Sequence, residues 1–154
     1  MLSLALTLLL STEWPLETIE LLTRAGAAWA DRGDRGRALR ALGEARTLVA
    51  DCPVWAAWQR SERLAWLAPV YARVGEHDVA RDLWRRAVDA GRAGEEDDFV
   101  QHQVDSAAVL REVAADLARH GEMAWAREVA CAIRNLGVRQ AAMAELDEIE
   151  RQPR

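Results

Sequence analysis

Apolar positions along the chain recur at steps of three and four residues, and no stretch alternates apolar with polar over the length of a strand. β-branched residues are sparse and form no runs. The spacing predicts an all-α chain, with helices over 2–10, 15–32, 35–50, 55–74, 77–90, 96–120, 122–135 and 138–150. Three short turns join them in pairs: Arg32-Gly33-Asp34, Val74-Gly75-Glu76 and His120-Gly121-Glu122. A glycine there supplies the left-handed conformation that ends a helix. Gly91-Arg92-Ala93-Gly94 is expected to be the loosest linker, Pro69 to kink its helix, and Asn135-Leu136-Gly137 to break the chain before a last helix. That helix puts Ala142, Met143, Leu146 and Ile149 on one side and charges on the other, as a cap would.

The three turns lie in phase. Four residues before each glycine stand Trp29, Tyr71 and Leu117, and seven before it stand Gly26, Ala68 and Ala114. Five residues after it stand Ala38, Ala80 and Ala126, then Leu42, Trp84 and Ala130, then Ala45, Ala87 and Ile133. Small residues at a crossing let two helices approach closely, and larger ones fill the space beside them. One such pair cannot bury its own apolar face, so pairs must stack.

This pattern resembles the tetratricopeptide motif, which has a small residue and an aromatic in its first helix, glycine at the turn and alanine–large–alanine along its second. The first two units match through Gly26, Trp29, Gly33, Ala38, Leu42 and Ala45, then Ala68, Tyr71, Gly75, Ala80, Trp84 and Ala87. The third departs, with Leu117 for the aromatic and Ala130 for the large residue, and only Pro53 stands near the place of the usual closing proline. The glycines are 42 and 46 residues apart, against about 34 in the usual unit. This longer period resembles the repeats of kinesin light chains and of large bacterial regulators. The resemblance implies a short right-handed α-solenoid in one domain: an N-terminal helix over 1–14, repeats over 15–50, 54–91 and 96–135, and a capping helix over 138–150.

The resemblance also implies a binding groove lined by the first helix of each pair. Transferred residue by residue, it brings in Glu20, Thr23 and Asp31, then Glu62, Ala65 and Arg73, then Arg111, Ala115 and Arg119. Arg73, Arg111 and Arg119 would share one channel and clamp an acidic or C-terminal peptide segment. Against this stands pairing with neighbours such as Glu62 and Glu112. The implied role is that of a protein–protein interaction module, an adaptor or chaperone-like scaffold. The alternatives are a self-associating structural subunit and a ligand-sensing part of a larger regulator.

Composition narrows the partners. The net charge is −5 with acids and bases interspersed, so no basic stripe points to nucleic acid and no polybasic run to a membrane surface. All 20 basic side chains are arginine, as GC-rich coding would give, so exposed faces can carry Arg–Glu and Arg–Asp ladders. Cys52 and Cys131 lie far apart without a CxxC partner; Cys131, among Val129, Ala130, Ala132 and Ile133, is expected to be buried. The apolar run over 2–10 has no basic n-region and no A-x-A site, and acidic Glu13 follows it. It is expected to pack on the first pair or to act as a sticky end, in a cytoplasmic protein.

Candidate chemistry is thin. His77, His102 and His120 share no helical turn and form no HExxH, and no GxGxxG, GxxxxGK[ST] or GxSxG occurs. Glu95-Glu96-Asp97-Asp98 reads as a helix start answering unpaired N–H groups, not as a metal site. Arg32-Gly33-Asp34 is explained by its turn. No nucleophile–base pair can be named, so binding rather than catalysis is expected, with no cofactor and no metal. Of the 7 tryptophans, Trp29 and Trp84 are expected in the core and Trp55 and Trp58 in a seam between pairs. Trp66 and Trp125 fall off the repeat positions, which leaves them to extra packing or to anchoring a partner.

Overall fold

The computed structural model describes residues 14–52 and 56–152, and among these all regular structure is helical. The helices are α1 (Trp14–Asp31), α2 (Arg35–Asp51), α3 (Ala57–Arg73), α4 (His77–Glu95), α5 (Val100–Arg119), α6 (Met123–Ala132) and α7 (Leu136–Arg151). The expected helix over 2–10, and Pro53 and Trp55, lie outside the described residues. None of the described helices is long and apolar enough to cross a membrane.

The three glycine turns are one structure repeated. Gly33, Gly75 and Gly121 have φ of 75°, 90° and 87°. Each glycine N–H donates to the carbonyl three residues back, at 2.9–3.0 Å, on Ala30, Ala72 and Ala118. The next N–H, of Asp34, Glu76 and Glu122, donates to the carbonyl five back, on Trp29, Tyr71 and Leu117, again at 2.9–3.0 Å. This double closure satisfies carbonyls that the helix end leaves open. Alanine at any one of the three should cost about 1–2 kcal/mol, because a Cβ crowds the left-handed backbone. Urea denaturation checks this, and a gain at one turn alone would break their equivalence.

Within each pair α1 packs on α2, α3 on α4 and α5 on α6. Between pairs, α2 meets α3, α4 meets α5 and α6 meets α7, while α1, α3, α5 and α7 also touch in succession. Ala38, Ala80 and Ala126 are completely buried at the crossings, as are Ala68 and Ala114. A Cβ on Gly26 would stand 2.8 Å from Leu42, so glycine is required for that approach.

Several expectations need correction. Gly91 to Gly94 is no linker but the last turn of α4. A Cβ on Gly91 would meet Leu110 at 2.7 Å, and one on Gly94 would meet Ser106 at 1.9 Å, so these glycines are contact surface. The break before the last helix falls over 133–135, two residues earlier than expected, and Asn135 closes it as the N-cap of α7: its Oδ1 accepts the Val138 N–H at 3.0 Å. The acidic cluster runs from the last residue of α4 into the connection before α5. Glu95 ends α4, is buried, and accepts the Arg134 N–H at 2.9 Å, while Glu96 pairs with the Arg134 guanidinium at 2.7 Å. Asp97 does serve a helix start: it accepts the Phe99 N–H at 3.0 Å and lies 3.0 Å from His102 Nδ1.

Cys131 is exposed, its sulfur 3.9 Å from that of Met143. The buried stripe of α6 is Ala126, Val129 and Ala130, and residue 131 points a further 100° round the helix. Trp29 is only half-buried, with the Arg37 and Arg32 guanidiniums 4.6 and 5.4 Å from its ring centroid. Trp84, by contrast, is core at 2% exposure.

Candidate functional site

Residues four and seven apart share a helix face, and this places most of the groove candidates. On α3, Glu62, Trp66, Pro69 and Arg73 form one incompletely buried stripe. On α5 the corresponding face carries Arg111, Glu112, Ala115, Asp116 and Arg119. Ion pairs link these faces across neighbouring helices. Arg73 reaches Asp31 of α1 at 3.0 Å, and Arg111 and Arg119 both reach Glu145 of α7, at 3.0 and 3.2 Å. Arg119 also holds Asp116 at 3.2 Å. The neighbours expected as partners, Glu62 and Glu112, are not the ones used.

Between α5 and α7 lies an open cleft of about 530 Å³. Arg111, Glu112, Asp116, Arg119 and Glu145 line it, over a floor that includes Ala115 and Val138. Three carboxylates thus face two guanidiniums, and the guanidiniums are already engaged. Burial pushes the Asp116 carboxyl above the ordinary carboxylate range, against the pull of Arg119. Glu112 is raised by burial and by the nearby Glu62 and Asp116. Glu62 is raised by burial, with Arg63 opposing and Asp105 adding.

Raised carboxyl pKa values mean that the folded chain binds these protons more tightly than the unfolded chain does. Their contribution to stability is therefore poorest at neutral pH and improves as pH falls through the raised values. Asp97, whose carboxyl the Phe99 N–H and His102 hold low, acts oppositely and loses its contribution at still lower pH. Thermal midpoint should thus rise on mild acidification and fall once pH drops below about 4, the ordinary carboxylate range. Asp116→Asn should flatten the rise; an unchanged profile would sink this assignment.

Not every candidate lines this cleft. Glu20 is exposed on α1, with Arg24 at 3.7 Å. Thr23 is buried on the stripe with Ile19 and Gly26, and its hydroxyl donates to the Ile19 carbonyl at 2.7 Å. Trp66 belongs to the α3 stripe, half-buried, with the Arg63 guanidinium 4.0 Å above its ring. Arg63 lies 2.9 Å from Glu62, yet its Nε and Nη1 make no hydrogen bond. Trp125 stands elsewhere, in a cleft of about 510 Å³ between α4 and α6 with Arg81, Arg85, Glu122 and Glu128. The sequence reading missed Glu112, Asp116 and Glu145 as cleft residues. The four-residue step from Glu112 to Asp116 was the available signal.

Among the described residues no group of three His, Cys, Asp or Glu side chains could hold a metal ion. No protein-family model, curated protein or solved structure matches the chain.

Proposed function

We propose that the chain is a protein–protein interaction module, a short right-handed solenoid of three tetratricopeptide-like pairs closed by α7, which holds a partner segment along the face of α1, α3, α5 and α7. It acts by binding, as an adaptor or scaffold. The repeated turn geometry and the buried alanines in phase support the architecture. The cleft between α5 and α7 carries the functional reading.

Its charges redirect the choice of partner. An acidic peptide needs free guanidiniums, and Arg73, Arg111 and Arg119 are all held by the chain's own carboxylates. A segment bearing arginine or lysine can pair with Glu112 and can add a second cation to Asp116, which Arg119 already holds. Panning a random peptide display library on the protein tests this. Enriched peptides should carry basic residues and lose binding to an Ala115→Arg variant, which fills the cleft with a cation. Enrichment of acidic peptides, or indifference to Ala115→Arg, would overturn it.

Self-association is a second reading, favoured by Phe99, Val100 and Leu136, which are 68%, 71% and 57% exposed at the starts of α5 and α7. Light scattering decides: mass should rise with concentration and return to the monomer value in Phe99→Ser.

A further inference from the structure

Two clefts follow one another along the seam between α5 and α7. The acidic one, of about 530 Å³, begins at Ala108 of α5 and Val138 of α7. Four residues before Ala108 stands Val104, and three before Val138 stands Asn135. These two line a smaller cleft of about 350 Å³, with Val100, Gln103, Glu95 and Arg134. The charges of the smaller cleft are spent inside the fold. Glu95 accepts the Arg134 N–H, and Glu96 holds the Arg134 guanidinium. What stays open is apolar: Val100 is 71% exposed, Val104 43%, and Leu136, next to Asn135, 57%. Val100, Val104, Ala108, Arg111 and Ala115 follow at steps of three or four residues, so the apolar patch and the acidic cleft share one face of α5.

We infer that one extended partner segment lies along this seam, with an apolar side chain over Val100 and Val104 and a basic side chain over Glu112 and Asp116. This arrangement rests on the acidic cleft being the site of a basic segment, and adds to it an apolar anchor at a fixed spacing. The two contacts need each other. An ion pair at a partly exposed site contributes little affinity, and burial of one apolar side chain supplies what it lacks. Charge selects the occupant. A second copy of the chain would bring Glu96, Asp97 and Asp98 beside its own apolar patch, and the acidic cleft repels them. The spacing follows from the helix. The midpoint of Val100 and Val104 lies twelve residues of α5 from that of Glu112 and Asp116, about 18 Å. An extended chain covers this in about five or six residues, and only the even number keeps both side chains on one side. The segment therefore carries its apolar and basic residues about six apart.

The test pans the full chain against a displayed peptide library with arginine fixed at the centre and every other position random. Enriched peptides should bear an aliphatic or aromatic residue about six positions from the arginine. By fluorescence anisotropy, Val100→Ser combined with Val104→Ser should weaken an enriched peptide about tenfold, the loss of one buried apolar side chain. The helix signal should stay unchanged, because both valines are exposed. One glycine inserted between the two peptide residues should weaken binding as much, since it turns one of them to the other side. Enriched peptides without an apolar preference, or a double variant that binds as the parent does, overturn the shared seam and leave the acidic cleft standing. An apolar preference about twelve positions from the arginine marks a helical segment and overturns the extended arrangement. Enrichment no better than in a library with glutamine at the centre overturns the acidic cleft as well.

Discussion

Replacing Trp84 with alanine should lower stability by about 3–5 kcal/mol, the range for deleting a buried tryptophan. The residue is 2% exposed on α4. Its ring lies 5.0 Å from that of His120, the C-cap of α5, so it joins the second pair to the third. A domain of this size has about 5–15 kcal/mol in total, so the alanine variant sits near the edge of folding. Trp84→Phe discriminates better. The indole Nε1 is buried with no acceptor, and an unmet buried donor costs about 1–3 kcal/mol. Phenylalanine removes that donor along with some volume, and the two effects oppose. The expected net loss is under about 1.5 kcal/mol, well short of the alanine variant. Urea denaturation followed by far-ultraviolet dichroism reads both. Equal losses in the two variants would mean that the N–H has a partner after all.

The helices were legible in the sequence because their signals are local. Helical periodicity and turn glycines act within a few residues, and the alanines at 38, 80 and 126 repeat in phase, so pairing could be read without contacts. The errors share a cause as well. Gly91 and Gly94 look like a linker by propensity, yet their missing side chains are filled by Leu110 and Ser106 from another helix. Cys131 was judged by its chain neighbours, when its angle round α6 decides exposure. Thr23 was carried into the groove by resemblance, although its spacing from Ile19 already placed it on the buried stripe. Arg111 and Arg119 line the cleft between α5 and α7, but their partners were not legible. Arg111 and Glu145 are 34 residues apart, and Arg73 and Asp31 are 42 apart, beyond any local window. Arginines that stand alone in the sequence are neutralised in the fold, and the partner proposed for the cleft changes sign with them.

Gly94 and Ser106 should show the strongest pairwise coupling. In an exposed helix, Gly→Ala gains about 1 kcal/mol from propensity. At Gly94 the new Cβ would lie 1.9 Å from Ser106 Oγ, 3.0 Å from its Cβ and 3.3 Å from the Trp58 backbone nitrogen. The first contact is impossible and the others are tight, so α4 and α5 must part or Ser106 must rotate into packed surroundings. Overpacking of this kind costs about 1–3 kcal/mol, which outweighs the propensity gain. Ser106→Ala alone should be neutral or stabilising by about 1 kcal/mol, because the hydroxyl is fully buried and has no partner. Combined with Gly94→Ala, it removes the worst contact and leaves two that a shift of a few tenths of an ångström relieves. The double variant should therefore recover most of the Gly94→Ala loss, with a coupling of about 1–2 kcal/mol in a double-mutant cycle. Additive losses would mean that the helices slide apart as rigid bodies and that Ser106 Oγ does not set their separation. Gly43→Ala, with nothing within 4 Å of the new atom, is the control, and it should stabilise by the propensity term alone, about 1 kcal/mol.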